Sequence, residues 1–146
     1  MSSSQTLVAQ DAPTISNRKT SIALWIVQAI LALLLSIAGV TKSFQPIKVA
    51  AQTINWVNDV PPALVRFIGV SELFAAIGLI LPAATRIQPR LTIFAATGIA
   101  LIMMFAMIFH ITRNEFFALP INAAFLTLSV FVAYGRLKWA PIVSRK

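Results

Sequence analysis

The segment between Pro61 and Pro82 limits what this chain can fold into more than any other part of the sequence. It reads PPALVRFIGVSELFAAIGLILP, and as a helix its roughly twenty inner residues, rising ~1.5 Å each, would span a ~30 Å hydrocarbon layer. It nevertheless contains Arg66 and Glu72. A carboxylate near the middle of such a helix costs roughly 2.5 to 3.5 kcal/mol on insertion scales. We therefore expect Glu72 to face other helices, either paired with a cation or protonated.

The composition identifies the chain as a membrane protein. Hydrophobic residues make up 58% of its 146 residues and charged residues 11%, with a mean hydropathy of +0.84, whereas soluble domains carry about 25% charged residues. The lack of cysteine excludes disulfides and thiolate ligands, and one histidine with few other ligands predicts no metal site. The net charge of +8 comes from basic residues that flank apolar runs, so we predict no nucleic-acid binding.

Four apolar runs predict four membrane helices. The first, Ser21 to Val40, is longer than the core of about 7 to 15 residues in a signal peptide and should remain in the protein. The second is the Pro61 to Pro82 segment, and the third runs from Leu91 to His110. The fourth runs from Phe116 to Tyr134 and tolerates a proline near its start.

The residues Ser43 to Val60 between the first two helices are less hydrophobic. Apolar residues such as Ile47 and Trp56 are interspersed with polar ones such as Lys48 and Gln52, which predicts an interfacial amphipathic segment; a partly ordered loop is the alternative. The predicted fold is therefore all-α, an integral membrane four-helix bundle with an interfacial segment between helices 1 and 2.

Basic residues predict the orientation of the bundle, because they are enriched in cytoplasmic segments. One side of the predicted bundle carries Arg18, Lys19, Arg86, Arg90, Arg136, Lys138, Arg145 and Lys146. We therefore expect a multi-pass protein of the plasma (inner) membrane with both termini in the cytoplasm. Residues 1–20 are a predicted disordered cytoplasmic tail, residues 21–136 the transmembrane domain, and residues 137–146 a basic cytoplasmic tail.

Five polar residues are predicted to converge on a pocket that opens away from the cytoplasm. Lys42 ends the first helix, Arg66 lies about one turn inside the second, His110 closes the third, Asn122 is in the outer half of the fourth, and Glu72 is deeper. Simpler interpretations exist: Lys42 and Arg66 can extend to lipid headgroups, His110 can be an interfacial histidine, and Asn122 can join two helices.

Three glycines are predicted to allow close packing of helices. Gly39 shares a helix face with Lys42, Gly69 lies between Arg66 and Glu72, and Gly78 follows in the same helix. Soluble-enzyme motifs such as GxGxxG and the P-loop are missing from the sequence. We therefore predict no intrinsic cofactor, and electrons for any redox step would belong to a bound molecule or a partner subunit.

Several motifs together resemble the DoxX-like family. They are Gly39-Val40-Thr41-Lys42, Arg66-Phe67-Ile68-Gly69-Val70-Ser71-Glu72-Leu73 with Ile77-Gly78-Leu79-Ile80-Leu81-Pro82, then His110 and Gly135-Arg136. The resemblance covers nearly all of residues 21–136 and implies a four-helix integral membrane protein. It also implies a link to quinone chemistry, because the family is named after a subunit of a thiosulfate:quinone oxidoreductase. Nothing in this sequence resembles a thiosulfate site.

Three functions stay open at this stage. In the first, the chain is an accessory or quinone-binding subunit of a membrane redox system, in which Glu72 bonds to a quinone oxygen and His110 relays protons outward. In the second it is a structural or assembly subunit, in which Glu72 forms a buried ion pair with Arg66 or Lys42. The third is a small proton-coupled transporter, although small multidrug transporters carry their essential glutamate in the first helix. A homo-oligomer is also compatible with the sequence.

Overall fold

A computed structural model describes residues 15–145 of the chain, and the regular structure within them is helical without a strand. The long helices are α1 (Ile15–Phe44), α3 (Pro62–Thr85), α4 (Arg90–Thr112) and α5 (Leu119–Tyr134). The short elements are the single turn α2 (Ile47–Ala50), the 3₁₀ turns Asn55–Asp59 and Phe116–Ala118, and the π-helical turn Gly135–Trp139. The predicted all-α fold with four long helices is confirmed.

Within residues 15–145, four segments are long and apolar enough to cross a membrane: Arg18–Phe44, Pro62–Thr85, Arg90–Thr112 and Phe116–Trp139. Large apolar side chains point away from the bundle along all four. Phe67, Phe74 and Phe94, for example, are about 70% exposed. In water such a surface would be an aggregation hazard, whereas in a bilayer it contacts lipid. The chain is therefore a multi-pass membrane protein.

Consecutive long helices run antiparallel, so the bundle has two distinct ends. α1 packs on α3, α3 on α4 and α4 on α5, while α1 and α5 share a smaller contact. The core between them is apolar and includes Leu31, Leu79, Ile99 and Val132. We call the end crossed by residues 45–61 the crossover end, and the end at which residues 15 and 145 lie the terminal end.

Helix boundaries differ from the sequence prediction at both ends of the described chain. Residues 15–20, assigned to the disordered tail, are already helical in α1, and residues 1–14 of that tail lie outside the described residues. α1 also continues past Val40 to Phe44. At the other end, Gly135 does not stop the helix but opens the π-helical turn, so the predicted tail of residues 137–146 begins inside regular structure.

The crossover segment has a small core of its own. Its turns bury Ala50 and Val57 against Val65 at the start of α3, with Trp56 packed partly against them. The predicted segment between the first two helices is thus built from two short helical turns, α2 and Asn55–Asp59. It ends at Pro61, and Pro62 occupies the first turn of α3, where the missing N–H costs nothing.

Candidate functional site

Four of the five polar residues predicted to converge line one cavity of about 320 Å³ at the crossover end, and the fifth, Arg66, does not line it. Lys42, Glu72, His110 and Asn122 line it, each from a different long helix, and Trp56 lines it from the crossover segment. The rest of its wall is mainly apolar. We call this space the crossover cavity.

A buried ion pair joins α1 to α3 at this cavity. Lys42 Nζ lies 2.5 Å from Glu72 Oε1, and the two side chains are 9% and 7% exposed. Lys42 Nζ also lies 6.0 Å from the centre of the Trp56 ring, within the range of a cation–π contact. Lys42 and Glu72 both lie on the buried faces of their helices because a lipid-facing charge would be more costly. Within the pair, each charge neutralises the other inside the bundle, so neither has to reach lipid headgroups or water.

Arg66 supports this pair instead of joining it. Its Nη1 donates a hydrogen bond of 2.7 Å to the carbonyl oxygen of Lys42, close to the C-terminal end of α1. Carbonyls in the last turn of a helix have no intrahelical donor, and the helix dipole there favours a cation. Arg66 thus fixes the backbone that carries Lys42, and of the two cations that the sequence offered to Glu72, Lys42 is the partner.

Glycines bring α1 and α3 close enough for this pairing. A Cβ atom built on Gly69 would lie 2.6 Å from Ser43 Oγ and 2.7 Å from Lys42 Cβ, and one built on Gly39 would lie 2.8 Å from the Gly69 carbonyl oxygen. Real Cβ contacts are not this short, so only glycine allows this separation of the two helices. Gly78 allows a similar approach of α3 to α4, at 2.8 Å from Ala95 Cβ.

His110 belongs to a chain of charged residues that sequence reasoning missed. Its Nδ1 donates to Glu115 Oε2 at 2.6 Å, Arg113 Nε donates to Glu115 Oε1 at 3.0 Å, and Arg113 also bonds to Asp59. Glu115, Arg113 and Asp59 all lie in the links between the apolar runs, where charged residues are usually solvated. The sequence feature that could have predicted the contact is the spacing, since Glu115 follows His110 by only five residues. Asn114 (φ 59°) adopts the left-handed conformation in the link between them.

This network holds Glu115 ionised. The hydrogen bond from His110, followed by that from Arg113, lowers the pKa of the Glu115 carboxyl below its ordinary value. The bond to Glu115 in turn raises the pKa of the Arg113 guanidinium, with a further contribution from Asp59. Because the carboxylate accepts from Nδ1, the tautomer of His110 is fixed and its other ring nitrogen, Nε2, is free for a partner in the crossover cavity.

Two buried polar atoms of the cavity residues have no partner within the described part of the chain: Glu72 Oε2 and Asn122 Nδ2. A buried polar atom without a hydrogen bond costs about 1–3 kcal/mol, and such atoms are few in native proteins. The crossover cavity thus offers one unused acceptor and one unused donor in apolar surroundings. Among residues 15–145, no group of three His, Cys, Asp or Glu residues could hold a metal ion.

Comparison with known proteins places the chain in a family. The model of a family described as the DoxX-like family matches residues 26–132, a range that includes every polar residue predicted for the site. No curated protein and no solved structure matches the chain significantly.

Proposed function

The chain belongs to the DoxX-like family, and from that membership we propose that it is an accessory membrane subunit that binds a quinone headgroup in the crossover cavity. The observation that carries the proposal is the pair of buried, unpartnered atoms in that cavity, Glu72 Oε2 and Asn122 Nδ2. They offer a hydrogen-bond acceptor and a hydrogen-bond donor to one ligand.

The hydrogen-bonding pattern suits both redox forms of a quinone. The oxidised form has two carbonyl oxygens, which accept hydrogen bonds, and the reduced form has two hydroxyl groups, which also donate them. Asn122 Nδ2 and the ammonium of Lys42 serve as donors to an oxygen, and Glu72 Oε2 accepts from a hydroxyl. The cavity volume of about 320 Å³ lies within the range of about 300–1,000 Å³ for small-molecule sites.

In this proposal the chain positions the quinone and exchanges protons with it, while a partner subunit supplies the electrons. Reduction of a quinone to a hydroquinone consumes two electrons and two protons, and this chain has no cysteine with which to carry electrons. Glu72 exchanges a proton with the ligand oxygen, and Lys42 stabilises the carboxylate when the proton leaves. His110 exchanges a proton with the ligand at Nε2, and Glu115, held ionised by Arg113, stabilises the imidazole ring when it is protonated.

Tryptophan fluorescence tests this proposal directly. Trp56 lines the crossover cavity, whereas Trp25 and Trp139 lie towards the terminal end. Decylubiquinone added to the purified protein in detergent should quench the fluorescence saturably, and Trp56→Phe should remove most of that signal. Asn122→Leu and Glu72→Gln should weaken binding about tenfold or more, since each removes a hydrogen bond to the ligand.

The control is Asn58→Leu, which alters an exposed asparagine of the crossover segment and should bind decylubiquinone as the wild type does. Quenching that rises linearly with quinone concentration, to the same extent in all variants, would reflect partitioning into detergent and refute the proposal.

A second candidate is a structural or assembly subunit, favoured by the ion pair itself. Lys42 and Glu72 already neutralise each other at 2.5 Å, and Arg66 anchors the backbone of Lys42. Such a pair specifies how α1 and α3 pack without any ligand. If the chain is an assembly subunit, replacing Lys42 and Glu72 together by apolar residues should preserve the complex with a partner. If the chain binds a quinone, the same double replacement should abolish quinone binding.

A further inference from the structure

A second cavity lies at the terminal end, far from the crossover cavity. It has a volume of about 290 Å³ and is enclosed by the start of α4, the π-helical turn and the segment that follows it. Its lining consists of Pro89, Arg90, Ile93, Arg136, Leu137, Pro141 and Ile142. The last segment is held in place by a hydrogen bond of 2.9 Å from the backbone N–H of Arg145 to the Arg86 carbonyl oxygen. We call this space the terminal cavity.

Arg136 lines the terminal cavity and is only 3% exposed. Its hydrogen-bond partners are all neutral: Nε donates to Gln28 Oε1 at 2.7 Å, and Nη1 donates to Ser21 Oγ at 3.3 Å and to the Ala140 carbonyl oxygen at 3.4 Å. The guanidinium carbon lies 5.3 Å from the centre of the Trp25 ring. Nη2 is buried and has no partner within the described part of the chain.

The described residues provide no counter-charge for this guanidinium. Asp59, Glu72 and Glu115, the acidic residues within 15–145, all lie towards the crossover end, where each already bonds to a cation. Arg90 adds a second positive charge to the terminal cavity, and so does the N-terminal end of α4, the positive end of its helix dipole. A buried cation without a counter-ion is costly, and a bound anion removes that cost.

We propose that the terminal cavity binds the phosphate of an anionic phospholipid headgroup, with Arg136 and Arg90 as the phosphate ligands. Nη2 of Arg136, which has no partner within the described residues, would donate to a phosphate oxygen, while Nε and Nη1 hold the guanidinium in place. A lipid is the source because the cavity lies at the ends of the membrane spans, beside an aromatic pair, Tyr134 and Trp139, with ring centres 5.0 Å apart. Such aromatic residues mark the headgroup level of a bilayer.

The π-helical turn gives this assignment an independent structural reason. Single π turns are frequent at functional sites, and here the turn follows α5 directly and ends the helical segment. Here the turn Gly135–Trp139 contains both Arg136, which is buried, and Lys138, which is exposed. Basic pockets between membrane helices are known binding sites for anionic lipid headgroups.

Native mass spectrometry of the delipidated protein in detergent tests the site. We expect the protein to bind one phosphatidylglycerol per chain in preference to phosphatidylcholine. Inorganic phosphate at millimolar concentration should not displace the bound lipid. Arg90→Gln should weaken phosphatidylglycerol binding about fivefold, the equivalent of ~1 kcal/mol for one basic residue near an anionic lipid. The control Arg18→Gln removes the same charge from an exposed position at the same end and should leave binding unchanged.

Arg136→Lys gives a second readout. It keeps the charge but loses the planar set of N–H donors that holds the group to Gln28 and Ser21 and leaves Nη2 for the phosphate, so it should weaken binding even where Arg18→Gln does not. Equal binding of both lipids, or an equal loss in Arg90→Gln and Arg18→Gln, would indicate diffuse attraction and overturn the proposal. Displacement by inorganic phosphate would overturn the lipid assignment. Binding that emerges only in Asp11→Asn would also overturn the proposal, because Asp11, the acid outside residues 15–145, would then be the natural counter-charge.

Discussion

Lys42 and Glu72 occupy positions that neither residue could hold alone. Both side chains are less than 10% exposed, and each is the other's ion-pair partner. Removing one of two paired buried charges leaves the other uncompensated, which costs about 3–5 kcal/mol, whereas replacing both with apolar groups is often neutral. Single and double substitutions of this pair therefore distinguish a loss of stability from a loss of function more clearly than a substitution at one position.

We predict that Lys42→Met and Glu72→Leu each lower the free energy of unfolding by about 3–5 kcal/mol, and that the double variant recovers most of this loss. Unfolding in mixed detergent micelles, followed by circular dichroism, measures these values. Lys48→Met, at an exposed lysine of the crossover segment, is the matched control and should change stability by less than about 0.5 kcal/mol. Additive losses in the double variant would show that the two residues do not act as a pair.

Sequence reasoning predicted the burial of Glu72 but not its surroundings. A single carboxylate within an apolar span has few physical solutions, so its inward orientation follows from the sequence. The choice between Lys42 and Arg66 depends on how α1 packs against α3, which no local pattern contains. Glu115 was missed because a charged residue in a short link is usually solvated, and only the conformation of the turn brings it to His110.

At the scale of elements, the α1–α3 interface depends on the absence of side-chain atoms at two glycines. Gly39 and Gly69 face each other, and a Cβ on Gly69 would meet Lys42 Cβ and the backbone nitrogen of Ser43 at 2.7 and 2.8 Å. A backbone atom cannot move aside as the end of a flexible side chain can. The helices would have to separate, and Lys42 would then move away from Glu72.

We predict that Gly69→Ala lowers the free energy of unfolding by about 1–3 kcal/mol, the usual cost of overpacking. The matched control is Gly98→Ala in α4, where an added Cβ meets nothing within 4 Å. This control should be neutral or more stable by up to ~1 kcal/mol, since alanine favours a helix over glycine. Equal effects of the two substitutions would contradict a close α1–α3 contact at Gly69.

The limits of the helices were less predictable than their number. Hydropathy identifies the part of a helix that lies in lipid, and all four runs were correctly assigned as helices on this basis. α1 nevertheless starts at Ile15, because an established helix extends through polar residues at little cost. The π-helical turn after Tyr134 has no hydropathy signal, and glycine there predicted an end instead.

At the scale of the whole molecule, charge is divided between the two ends of the bundle. The acidic residues within 15–145 lie towards the crossover end, whereas Arg18, Lys19, Arg86 and Arg90 lie at the terminal end, where none of the described residues is acidic. This asymmetry is the basis for proposing a cytoplasmic terminal end. In the proposed orientation, the crossover cavity communicates with the side away from the cytoplasm and the terminal cavity with the cytoplasmic side.

We predict that the crossover end faces away from the cytoplasm, and the lack of native cysteine makes single-cysteine labelling a clean test. Gln52→Cys, exposed in the crossover segment, should react with a membrane-impermeant maleimide on intact cells. Ile87→Cys, exposed in the link between α3 and α4 and outside both membrane spans, should react only after the membrane is permeabilised. Labelling of Ile87→Cys alone on intact cells would show the opposite topology, and protons at His110 would then exchange with the cytoplasm. Labelling of both positions on intact cells would mean that the chain inserts in two orientations, and the basic residues would not determine its topology.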